Sequence, residues 1–125
     1  MTVKVLVSEK HKRFNQPVVT LSPKLQRLTL NRAAFSMLVK EYAGESQYAQ
    51  ILWDDEDNSG IFWIVLCEAT APGCRKLDVS SRSTRTCCIT TLIESLGYTS
   101  SDTSHYHLTW DKQIKGGKVN TNEPL

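Results

Sequence analysis

The longest uninterrupted apolar run in this chain is Ile61-Phe62-Trp63-Ile64-Val65-Leu66-Cys67, seven residues. A membrane-crossing helix needs roughly 20, and an ordinary buried helix about 10 to 12. A run this short, rich in β-branched and aromatic residues, reads as the most hydrophobic strand of the chain. The remaining apolar segments are shorter and alternate with polar residues. The core is therefore expected to come mainly from short strands. With 125 residues the chain has material for one domain, which hides roughly two-thirds of its unfolded surface on folding. Met1 to Val7 lacks the long apolar core and cleavage site of a secretion signal. The expectation is a cytoplasmic protein without a membrane partner.

Alternation and turn residues divide the chain. Val3, Val5 and Val7 read as one strand, Val18 to Leu21 as a second, and Gln26 to Leu30 as a third. Asn31 suits a helix N-cap, since its side-chain oxygen accepts an orphan backbone N–H. Ala34, Leu38 and Tyr42 then form an apolar stripe ended by Gly44. Tyr48–Trp53 and Gly60–Cys67 read as a hairpin around an acidic turn, followed by a short strand at Leu77–Val79. Ile89, Leu92, Ile93 and Leu96 stand at i, i+3, i+4 and i+7, which predicts a second helix over about 86–96, stopped by Gly97. Tyr106 to Trp110 and Lys118 to Thr121 predict a last strand pair. The fold class expected is α+β: a small sheet-rich domain with two helices.

From Leu25 onward the order is strand, helix, hairpin, twice over, with halves at 25–70 and 75–121. Leu28-Thr29-Leu30-Asn31 answers to Leu77-Asp78-Val79-Ser80, Gly44 to Gly97, and Trp53-Asp54 to Trp110-Asp111. Each of those aspartates is followed six positions later by glycine, at Gly60 and Gly117, with Phe62 and Val119 two beyond. These marks suggest an internal repeat, although similar turns also look alike for local reasons.

The stretch Arg27-Leu28-Thr29-Leu30-Asn31-Arg32-Ala33-Ala34-Phe35-Ser36-Met37-Leu38, followed by a strand, an acidic turn and Gly60-Ile61-Phe62-Trp63-Ile64, resembles a swapped-hairpin domain of the AbrB and MazE type. The resemblance implies interlocked strand-helix-hairpin units that bind operator DNA through basic residues on loops and strands. It would make the chain a transcription regulator, and it leaves a homodimer open.

Charge is segregated along the chain. Residues 1–40 hold eight Lys or Arg against Glu9 alone, whereas 41–70 hold seven acids and no Lys or Arg. Lys10, Lys12 and Arg13 share a loop with Phe14; Lys24 and Arg27 flank the third strand; Arg32 and Lys40 sit on the first helix. Cations with an interleaved aromatic suit phosphate contact and base stacking. These eight residues are the expected nucleic-acid-binding set. Asp54, Asp55, Glu56 and Asp57, beside Tyr48 and Trp53, offer the rival reading: a protein-binding module or small phage-type inhibitor.

Catalytic and metal signals are thin. Cys67 and Cys74 with His105 and His107 could complete a tetrahedral zinc site, but neither cysteine pair has the C-x₂-C spacing. Asp55, Asp57 and Ser59 open like a calcium loop whose twelfth position is Leu66, where a glutamate is required. Cys87 at a helix N-terminus would gain thiolate character. No phosphate loop, nucleophile elbow or carboxylate pair is present. The expectation is a non-enzymatic protein with no cofactor and no bound metal.

Overall fold

The computed structural model describes residues 16–42, 47–53, 60–79, 84–89 and 103–125. Its first element, β1 (Val18–Ser22), turns through one 3₁₀ turn, Pro23–Leu25, into β2 (Arg27–Leu30). Pro23 presets the turn's backbone. Gln26 closes it in the left-handed region (φ 52°), its N–H donating to the Pro23 carbonyl at 3.1 Å. The ladder runs from Val19 opposite Leu30 to Ser22 opposite Arg27. Val19, Leu21, Leu28 and Leu30 therefore share the buried face, as a period of two requires.

Asn31 then caps α1 (Arg32–Tyr42). Its Oδ1 accepts from the Ala34 amide at 2.8 Å and the Val18 amide at 3.1 Å, while its Nδ2 donates to the Gln16 carbonyl at 2.8 Å. One side chain thus starts the helix and fastens the head of β1. Ala34, Phe35 and Leu38 face the core.

Two antiparallel sheets follow from the remaining strands: β3 (Tyr48–Trp53), β4 (Ile61–Cys67), β5 (Arg75–Lys76), β6 (Asp78–Val79), β7 (Arg85–Cys88), β8 (Ser104–His107), β9 (Thr109–Asp111) and β10 (Gly116–Asn120). The first sheet has the order β6-β7-β2-β1-β8 and the second β5-β3-β4-β10-β9. Only Leu77 separates β5 from β6, and only Leu108 separates β8 from β9; both are buried. Each edge strand of one sheet therefore continues as an edge strand of the other, giving a flattened barrel around one core. Phe62, Ile64 and Val119 from one sheet meet Leu21, Leu28 and Tyr106 from the other in that core.

Taking β5–β6 and β8–β9 as single bent strands leaves eight strands, and their order is unchanged when the first four are exchanged with the last four. The exchange pairs β2 with β7 and β4 with β10. Thr29 lies opposite Thr86 and Phe62 opposite Val119. The strand matching β2 is therefore β7, not Leu77–Val79 as the short sequence marks suggested. Trp53 stands opposite Phe62 and Trp110 opposite Gly117, so the two Trp-Asp marks fall on different rungs.

The α+β expectation with two helices is overturned. Among the described residues there is one α-helix, and the molecule is a small, mostly β domain. Where the second helix was expected to begin, Arg85–Cys88 is a strand. The apolar periodicity starts only at Ile89. Before it, Arg85-Thr86-Cys87-Cys88 carries no helical apolar spacing, and β-branched Thr86 is paired to Thr29. Residues 90–96, Gly97, the Val3–Val7 strand, Gly44 and the acidic turn lie outside the described residues. No helix among the described residues is long and apolar enough to cross a membrane.

Candidate functional site

The expected basic set divides between two ends of the first sheet. Lys24 is exposed on the 3₁₀ turn and Arg27 on the outer face of β2 beside it; Arg32 and Lys40 are exposed on α1, which begins beyond the other end of β2. Among the described residues these four side chains have no hydrogen-bond or ion-pair partner. Lys10, Lys12, Arg13 and Phe14, like Asp54, Asp55, Glu56 and Asp57, lie outside the described residues. Another basic residue, Arg85, is drawn inward opposite buried Leu30, with its guanidinium 4.5 Å from the Phe35 ring centroid, a cation–π pair.

The zinc set is not assembled. His105 and His107 both point outward from β8, but Thr20 Oγ1 and His105 Nδ1 are hydrogen-bonded at 2.8 Å. His107 is level with Asn120 and Ile61 at one end of β4, whereas Cys67 is at the other. Six residues of strand, about 20 Å, lie between those levels. Among the described residues no three His, Cys, Asp or Glu side chains gather as metal ligands. All four cysteines are free thiols. Cys87, expected at a helix N-terminus, is instead buried in β7. Burial pushes its thiol up to about 11, only partly offset by the Arg75 charge. Burial, with Cys74 nearby, also raises Cys67. Both shifts work against thiolate character.

What the fold does assemble is a polar groove on the outer face, beside the Leu108 corner. His107, Thr109, Lys118, Asn120 and Glu123 line a concavity of about 200 Å³. Leu108 turns inward, so His107 and Thr109 on either side of it both face out. Lys118 lies opposite Thr109, and Asn120 follows two residues on along the same face. The C-terminal segment forms the far wall. The Glu123 amide donates to the Asn120 carbonyl at 3.2 Å, and the Leu125 amide donates to the His105 carbonyl at 2.8 Å.

Next to this groove lies Trp63, half-buried and opposite Lys118 on the other side of β10. Its neighbours Phe62 and Ile64 are buried, so Trp63 points outward. Its Nε1 donates to Asp111 Oδ2 at 3.0 Å, although β4 and β9 are separated by β10 and so by about 10 Å. The indole must therefore lie across β10. Asp111 Oδ1 meanwhile accepts from the Gln113 amide at 2.9 Å and the Ile114 amide at 3.3 Å, fixing the turn into β10. The Trp63 hydrogen bond, followed by those amides and the Lys118 charge, holds the Asp111 carboxyl below its ordinary range.

Arg32 belongs to this same end of the molecule. Val18 pairs with His107 in the sheet and is bonded to Asn31. Gln16, the first described residue, is held there by Asn31. Sequence reading missed Trp63 and Lys118 as surface groups. Trp63, like Trp53 and Trp110, reads from the sequence as core or hairpin packing rather than as a base platform, and Lys118 is remote in sequence from the basic third. Compared with protein-family models, curated proteins and solved structures, the chain has no match.

Proposed function

We propose that the protein is a non-enzymatic nucleic-acid-binding domain with a regulatory role. The observation that carries this reading is the convergence of cationic groups at one end of the barrel. Arg32 is exposed without a partner among the described residues, and the Lys118–His107 groove opens nearby. At the same end Gln16 joins the fold to the segment that carries Lys10, Lys12, Arg13 and Phe14. Lys24 and Arg27 stand apart from it, at the opposite end of β2. Phosphate contacts by such groups release counterions and give a salt-dependent affinity.

The test is binding of a random duplex and a random single strand, followed across salt concentrations. Replacing Lys10, Lys12 and Arg13 together with Ala should weaken binding to all sequences. The salt slope should become shallower by up to about three units. An unchanged slope would remove that segment from the interface, and no binding of either nucleic acid by the intact protein at low salt would end the reading.

The rival, a protein-binding module, is favoured by Leu52 and Trp53, which are 40% and 39% exposed immediately before the acidic run Asp54-Asp55-Glu56-Asp57. It requires that a basic protein partner protect Trp53 from collisional quenching.

A further inference from the structure

We propose that the Trp63 indole and the groove beside it form a site for one unpaired nucleotide, the base stacked on Trp63 and its phosphate held by Lys118 and His107. This inference rests on the nucleic-acid reading above and narrows it to single-stranded substrate.

Three features carry it. The indole lies across β10, pinned through Nε1 to Asp111, and Trp63 is only partly buried. A flat aromatic group held in one orientation loses little freedom when a base stacks on it. Lys118 is the ladder neighbour of Trp63, so the backbones that carry the ammonium and the indole lie one strand spacing, roughly 5 Å, apart. Beyond Lys118 the groove adds donors: the His107 imidazole, the Thr109 hydroxyl and the Asn120 amide. A phosphate and its sugar can take all of these donors. A duplex keeps its bases stacked internally and offers no free face to the indole. The site therefore selects a single strand.

The experiment compares the intact protein with Trp63→Leu, Trp63→Phe and Lys118→Gln, measuring affinity for a twelve-residue oligothymidylate and for a random duplex. Trp63→Leu should weaken single-strand binding about tenfold or more and leave duplex binding within twofold. Trp63→Phe, which keeps a smaller stacking face, should fall between. Lys118→Gln should weaken single-strand binding and make its salt slope shallower by about one unit. Circular dichroism and the thermal midpoint establish that each variant is folded. Lys118→Gln changes an outward-facing side chain and keeps the test valid even if Trp63→Leu does not fold. Equal losses for duplex and single strand, or wild-type single-strand affinity in folded Trp63→Phe and Lys118→Gln, would overturn the site while leaving the nucleic-acid reading standing. Failure of the intact protein to bind either nucleic acid would overturn both.

Discussion

Asp111 shows how much one side chain can organise. Its two carboxylate oxygens serve different elements: Oδ1 closes the turn into β10, and Oδ2 fixes Trp63. Hydrogen bonds to the charged form lower a carboxyl pKa. The Trp63 bond is the largest cause here, with the Ile114 and Gln113 amides and Lys118 adding to it. A carboxyl lowered in the folded state stabilises the fold above its ordinary pKa, about 4. That contribution is lost as pH falls through the lowered value. Tryptophan emission should thus show an acid transition below about pH 4 that is absent in Asp111→Asn. The asparagine carbonyl can still cap the turn, but its NH₂ cannot accept from the indole. Superimposable acid titrations of the two proteins would show that Asp111 does not control the indole.

At the scale of elements, α1 is the clearest case of local chemistry agreeing with the fold. Asn31 supplies an N-cap, and the stripe after it supplies a core face. The structure adds a second duty, since the same Oδ1 accepts from Val18 at the head of β1. Losing the cap alone costs about 1 kcal/mol, and leaving a partly buried amide unpaired adds about 1 to 3 kcal/mol. Asn31→Ala should lower stability by about 2 to 4 kcal/mol, whereas Asn31→Asp keeps the acceptor and should cost less. Urea denaturation measures both, and equal midpoints for the two variants would refute the shared role. Strand β7 is the opposite case. Helical spacing from Ile89 onward invited an extension back to Thr86, yet the backbone there pairs with β2. Four residues carry too little periodicity to outweigh a ladder supplied from 57 residues away, where Thr29 waits for Thr86.

For the whole molecule, the decisive places are the two corners where a strand leaves one sheet for the other. Leu77 and Leu108 are 1% and 3% exposed, and each fills the bend between the sheets. At the second corner a Cβ on Gly117 would come within 2.6 Å of Leu108 Cδ1 and within 3.0 Å of two further atoms of that side chain. Gly117→Ala should therefore overpack the corner and cost about 1 to 3 kcal/mol. Leu108→Ala should open a cavity and cost about 2 to 5 kcal/mol. Because the two changes act on one space, the double variant should be less destabilised than the sum of the singles. Additive thermal or urea midpoints would mean that the two side chains do not share the corner.

Most individual strands were legible in the sequence. Tyr48–Trp53 and the strand through Cys67 follow from alternation, from short apolar runs and from flanking turn residues. The cap at Asn31 was equally plain, because capping is settled within four residues. Sequence also supplied the charge division and the basic candidates. It could not say that Lys24 and Arg27 stand at one end of the sheet while Arg32 stands at the other, since that depends on the direction of β2. Nor could it show that Trp63 lies outward across a neighbouring strand, because an apolar run looks the same whether its outer face is covered or bare. Lys118 lies between Trp63 and Thr109, with His107 beside them, only because the chain bends at Leu108 and returns through β10 alongside β4. Local backbone preference fixed the pieces. Which side chains face one another was decided by burial and strand pairing over distances that no local pattern encodes.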